Sequence, residues 1–335
     1  MEKVIIRKAV LEDEDAIIEF IKQHWYIKNH IFVREKRVFE DCHRVEDELN
    51  FVLGVGEETG NIYGICGWTL TNRTDHPEVC PAIYQTIKSS NTMLGTDLVK
   101  AMEEVTQCRC VFSPGIRPNT KVIYDFMGYR TGLLSHYYRI ADLEEYKVAK
   151  ISQKIIPQIT EDGYSFQLFN SMDEVLDKFR FEDFKDKLPY KDEWCVRHRY
   201  FDNIGYQYKV YGIIKQDGSC TSIFAGRDVG CNGRTIFKIV DYIGEDRDIS
   251  FCSLPFQKLI EENNYEFIDI YEQGIPDEYM ESAGLVKVLE NDENIIPHYF
   301  EPYVLENIDI YYYSSNMDGC HIYRSDAGQD RPNYI

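Results

Sequence analysis

The chain has 335 residues, which sets an expectation of two domains of roughly 150 residues each. Hydrophobic residues make up 44% and aromatic residues 14%, with 25 Tyr and 18 Phe, enough for sizeable cores and for aromatic-lined pockets. The net charge of −20 argues against nucleic acid as a partner, although a small anionic substrate stays compatible because a local cationic or N–H-rich pocket overrides the global field.

In chain order, Val4–Arg7 reads as a strand and Glu12–Trp25 as a helix, with Ile17, Phe20, Ile21 and His24 on one face. Phe51–Gly54 and Ile62–Leu70 read as a hairpin turning at Glu58-Thr59-Gly60-Asn61. A strand at Ala82–Lys88 leads through Ser89–Thr96 into a helix at Asp97–Val105. Then come a strand from Cys110 to Ile116, a helix at Asn119–Met127 stopped by Gly128, and a closing strand at Leu133–Ile140. No apolar run approaches the roughly 20 residues of a membrane span, and Met1–Leu11 reads as a charged strand, so no membrane partner and a cytoplasmic location are expected. The ten cysteines are scattered without a CxxC pair, which predicts reduced thiols and no metal site.

The order recurs. Tyr208–Ile214 and Thr221–Arg227 form a second hairpin around Gly218, followed by a strand at Thr235–Ile243, a helix at Ser250–Glu262, a strand at Phe267–Gly274 and a short helix at Pro276–Ser282. Gly60 and Gly218 lie 158 residues apart, Gly115-Ile116 and Gly274-Ile275 159, and Gly128 and Gly284 156. Three landmarks at nearly one offset predict a duplicated domain. The expected division is 1–148, 149–314 and a tail at 315–335, with the boundary in the charged stretch Leu143–Ile155.

Two stretches carry chemistry. A strand, a small-residue loop and a helix make an anion site, because the helix N-terminus presents unpaired N–H groups. Ser89, Ser90, Asn91, Gly95 and Thr96 stand at that junction. After the strand ending at Gly115-Ile116 comes Asn119-x4-Tyr124-x3-Gly128-Tyr129. Together these resemble the GNAT acyltransferases, although the loop has only Gly95 where that family carries a run of glycines. The resemblance implies an α/β (α+β) chain of two tandem GNAT folds, each a mixed, mainly antiparallel sheet flanked by helices. It implies acyl-CoA as co-substrate, no permanently bound cofactor, a CoA arm on the loop and Asn119, and Tyr124 as the general acid. A phenol held beside sulfur can protonate the departing CoA thiolate.

In the second half Met280 stands where Tyr124 would, and Glu245-Asp246-Arg247-Asp248 replaces the loop with carboxylates that repel a pyrophosphate. That half is expected to keep the fold without CoA binding, serving dimerisation, so a homodimer is compatible, or shaping an acceptor pocket.

Acceptor contacts in such folds fall on the first helices, here Gln23–His30 and Phe39–Arg44. Trp25 and His43 are expected to bind substrate and His30 to act as base, with His43 second in that role. Pro297–Tyr303 and Ser325–Asn333 look like segments of tandem GNAT acyltransferases encoded with bacterial surface-polysaccharide (O-antigen) enzymes. Tyr299, Glu301 and Arg331 would then hold a nucleotide-linked amino sugar, through aromatic stacking and an Arg–diphosphate pair. Two other readings remain: a GNAT acting on a polyamine, amino acid or peptide N-terminus, and a non-catalytic binding protein with a decayed acyl-CoA site.

Overall fold

Alternation of apolar and polar residues along the strands builds two sheets in the computed structural model, which describes residues 2–331. The chain divides into two units, one comprising residues through Thr131, Tyr312–Asp318 and Asp326 onward, the other Gly132–Tyr311 and Gly319–Ser325.

The sheet of the first unit runs Val4–Lys8, Phe51–Gly56, Ile62–Leu70, Glu78–Thr86, Cys110–Ile116, Tyr311–Ser314, Arg130–Leu133. Its first four strands are antiparallel neighbours, whereas Glu78–Thr86 and Cys110–Ile116 are parallel. A parallel pair needs a crossover, which here is the helix Leu94–Thr106. Leu94, Leu98, Val99 and Met102 recur at helical spacing and pack into a core with Val52, Cys66 and Trp68. On the other side of the alternation, Phe51, Leu53 and Val55 pack against Ile17, Phe20, Phe32 and Phe39 from the helices Glu14–His24, Ile31–Arg34 and Lys36–His43.

The second unit repeats the order: Ser165–Phe169, Lys209–Ile214, Cys220–Cys231, Arg234–Gly244, Tyr265–Gln273, Ser135–Ile140, Val286–Lys287. Arg234–Gly244 and Tyr265–Gln273 are its parallel pair, joined through the helix Ser253–Asn263. The landmark glycines match in conformation as well as spacing: Gly60 and Gly218, Gly115 and Gly274, and Gly128 and Gly284 all have positive φ, where a Cβ is strained.

Two expectations change. The strand expected at Leu133–Ile140 to close the first unit is Ser135–Ile140 and lies in the second sheet, antiparallel to Tyr265–Gln273, while Tyr311–Ser314 fills the corresponding place in the first sheet. The changeover between units therefore falls at Thr131/Gly132, not near 148, and residues 315–335 are shared between the units. The charged stretch is no linker, because the buried Glu266 carboxylate accepts the amides of Lys147, Val148 and Ala149 at 2.7–2.9 Å. Buried backbone donors need such partners, and one carboxylate supplies them all.

Candidate active site

In the first unit Glu78–Thr86 and Cys110–Ile116 pair only at Glu78↔Cys110 and Val79↔Val111. Pro81 follows at once and Pro114 stands in the facing strand, and proline has no N–H for a ladder. Beyond that point one side-chain bond bridges the gap, from Ser113 Oγ to the Pro81 carbonyl at 2.8 Å. The two strands part.

Tyr124 lies in the core cluster that contains Val79 and Val111, the last paired residues. It comes from the helix Lys121–Phe126, in which it is the buried residue. Its ring stacks on Tyr313 at 3.7 Å and 10°, and Tyr129 continues the stack with its hydroxyl donating to Glu103. Burial raises the Tyr124 phenol above its ordinary range, so it carries its proton at every physiological pH. Cys66 faces the same cluster, its thiol pushed up to about 12 by burial. A thiolate formed among these groups would suffer the same desolvation, which narrows the gap between it and the phenol. Tyr313, which the spacing of Tyr124 did not reveal, comes from a strand 189 positions downstream.

The loop carries fewer free donors than its composition suggests. Ser89 Oγ donates to the Asn91 carbonyl, Ser90 Oγ to the Glu2 carbonyl and Thr96 Oγ1 to the Met93 carbonyl. Asn91 accepts from the Met93 amide and donates to Asp97. The helix begins at Leu94 rather than Asp97, so Gly95 and Thr96 sit in its first turn. What the loop offers an anion is therefore the backbone N–H groups of that turn, not its hydroxyls. A Cβ at Gly95 would stand 2.1 Å from the Tyr84 hydroxyl, so a larger residue there would displace that side chain. Asn119 is exposed, in the turn Pro118–Thr120 that precedes the Tyr124 helix.

Four expected acceptor residues meet around Phe32. Trp25 packs on His30, His30 and His43 pack on Phe32 at 4.7 and 5.2 Å, and the Arg331 guanidinium lies 5.0 Å from the same ring. The base role of His30 does not stand on this geometry. The Phe32 amide donates to Nδ1, and Arg331 faces Nε2 at 3.2 Å. A neutral imidazole has one lone pair, and both its nitrogens face donors. Burial, then the nearby Arg331, pushes His30 down to about 3. His43, fully buried and likewise pushed down to about 3 by burial, donates from Nδ1 to the Trp68 carbonyl and keeps an unbonded lone pair on Nε2.

Tyr299 and Glu301 lie in the second unit, where Tyr299 is exposed and Glu301 accepts from Tyr206. Of the expected run Ser325–Asn333, Pro332 and Asn333 lie outside the described residues. In this unit the parallel strands also part, but the strand Ile322–Tyr323 pairs with Glu272 and Gln273, and the Ser325 amide donates to Val240. The acidic loop is tied down: Asp248 accepts from Thr221 and Ser222, and Asp246 contacts His321 and Lys187. Met280, fully buried, takes the place of a tyrosine.

No protein-family model and no curated protein sequence matches the chain. Solved structures do. A GCN5-related N-acetyltransferase from Anabaena variabilis aligns over 93% of this chain and 72% of its own at 10% identity, with a TM-score of 0.57. One from Kribbella flavida aligns over 93% and 71% at 10% identity, TM-score 0.56. An Enterococcus faecalis protein described as a probable N-acyltransferase aligns over 94% and 72% at 8% identity, TM-score 0.54.

The chain has a tandem GNAT fold.

Within each GNAT unit the parting parallel strands and the crossover helix are the equivalent parts, and the two units differ in what fills them. The first has Tyr124 and a loop with one glycine. The second has Met280, a bound-down acidic turn and an inserted strand. Among the described residues no helix is long and apolar enough to cross a membrane.

Proposed function

We propose that the chain is an acyl-CoA-dependent N-acyltransferase in which the first unit binds the thioester and Tyr124 protonates the departing thiolate. The observation that carries this reading is the parting of Glu78–Thr86 from Cys110–Ile116 with Tyr124 packed at the fork. A carbonyl inserted between such strands can bond to backbone groups that the ladder leaves unused. The first turn of Leu94–Thr106 serves the pyrophosphate of CoA.

The acceptor amine, delivered neutral with its proton passed to water, attacks the thioester carbonyl. The tetrahedral adduct collapses, the C–S bond breaks and the sulfur takes the Tyr124 proton, while the attacking nitrogen loses its extra proton through water, which restores the Tyr124 phenol. The acceptor we assign is the amine of a nucleotide-linked amino sugar, supported by the resemblance of Pro297–Tyr303 and Ser325–Asn333 to segments of sugar N-acyltransferases. Trp25, His43 and Arg331 line the amine side.

Tyr124→Phe tests the role. The ring keeps the stack on Tyr313, so the thermal melt should change little. An interaction made chiefly in the transition state lowers kcat, here by about 10²–10⁴-fold, with little change in acyl-CoA affinity. A kcat within about threefold of wild type removes Tyr124 from the chemistry.

One observation favours a second reading, a chain of this fold without turnover: the hydroxyls of Ser89, Ser90 and Thr96 already donate to backbone carbonyls. Calorimetry with CoA separates the two, because a decayed site gives no heat of binding.

A further inference from the structure

The second unit buries a cluster of titratable groups that acyl transfer does not use. Lys238 and Asp269 are register partners on the parallel strands, and Tyr271 is the register partner of His136. His298 and Arg324 join them from the later segments of the unit. Lys238, Asp269, His136 and His298 are no more than 6% exposed, and Arg324 is 7% exposed. Charged groups are seldom buried this deeply unless they bind something or one another.

Their hydrogen bonds fix the protons. The Lys238 ammonium only donates, so His298 accepts at Nδ1, 2.9 Å away, and its ring N–H is on Nε2. Asp269 accepts, so His136 donates from Nε2 at 3.1 Å and its lone pair is on Nδ1. Burial and the cations around it hold His298 neutral. Four atoms of the cluster then have no hydrogen bond: the donors His298 Nε2 and Arg324 Nε, and the acceptors His136 Nδ1 and Asp269 Oδ1. A native fold rarely leaves one such group bare, because a buried polar atom without a partner forfeits its hydration and gains nothing in return.

The two bare donors flank one side chain. The His298 ring lies 5.0 Å from Tyr299 and the Arg324 guanidinium 6.0 Å from it, and Tyr299 is 41% exposed. Arg227 and Lys238 act on His298 with the same sign of charge. Arg227 itself stacks on Tyr206 at 3.8 Å. In a chain of net charge −20 these cations are a local exception to the global field.

We propose that this cluster binds a phosphoryl group of a hydroxyl-bearing small molecule. The His298 Nε2–H and Arg324 Nε–H donors meet the phosphoryl oxygens, and Lys238 and Arg227 balance their charge. Tyr299 and Tyr206 flank whatever ring the phosphoryl group carries. The bare acceptors on His136 and Asp269 take a ligand hydroxyl. Asp269 lies 3.6 Å from Lys238 and offsets one of the three cations, so the cluster keeps an excess of positive charge that a phosphoryl dianion matches, and charge-assisted bonds to buried donors are the strong ones. The inference stands whether or not the first unit transfers acyl groups.

The test is calorimetric titration of inorganic pyrophosphate into the full chain, alone and with saturating CoA, and then into Arg324→Gln and Arg227→Gln. Arg227 is only partly buried, so its variant guards against Arg324→Gln failing to fold. The expected result is pyrophosphate binding that persists under CoA and weakens about tenfold or more in a folded variant, with the CoA affinity of that variant unchanged. Absence of binding under CoA, or equal binding in both variants, overturns the proposal. If CoA gives no heat while pyrophosphate binding still responds to the substitutions, the acyl-CoA reading fails and this one holds.

Discussion

His30 and His43 show how little a residue's type fixes its role. Both stand where an acceptor base was expected, and both are packed against Phe32 and pushed down to about 3 by burial. The unfolded chain takes up protons near pH 6.5 that the folded chain refuses until about 3. The folded state therefore binds fewer protons across that window. Stability is fully present above pH 6.5 and is lost as the pH falls toward 3. His43→Phe removes one titrating group and strands the Trp68 carbonyl, so at pH 7 it should destabilise by about 1–3 kcal/mol. Between pH 7 and 5, however, its denaturation midpoint should fall less steeply than that of wild type. An equal slope in both proteins would show that His43 titrates normally in the fold. Tyr124 was legible from its spacing to Gly115 and Gly128. The partner that stacks on it was not, because Tyr313 shares no local pattern with it.

At the scale of elements, the hairpins, the crossover helices and the positive-φ glycines could be read because each is dictated by neighbours in sequence. The placement of Ser135–Ile140 and Tyr311–Ser314 could not, since alternation says that a strand is half-buried but not which sheet takes it. The same gap hid the role of the tail. Ile322–Tyr323 is a buried sheet strand, Asp326 and Ala327 are fully buried, and Gln329 lies against Gly115. Removing the residues after Ser314 should therefore destabilise the fold and not only cost the acceptor contact expected of Arg331. Burying a few side chains of this size contributes several kcal/mol, so the truncated chain should melt at least about 5 °C lower or be insoluble. An unchanged melting temperature would return the tail to a binding role alone.

At the scale of the whole molecule, one strand order occurs twice, and the two copies differ around their parting parallel strands. In the first unit the parallel strands part in the core that holds Tyr124, and the crossover helix between them carries one carboxylate in its first turn, Asp97, which accepts from Asn91. In the second an inserted strand and the partners of Asp246 and Asp248 use the equivalent space. The proposed acyl-CoA site is accordingly in the first unit alone. Hydrogen exchange of the full chain, with and without CoA, tests this most directly, since a bound ligand slows the opening of the amides it touches. The expected result is added protection over Leu94–Val99 and Lys121–Phe126 and none over Ser253–Leu259. Protection confined to Ser253–Leu259, or no change at either helix, would contradict it.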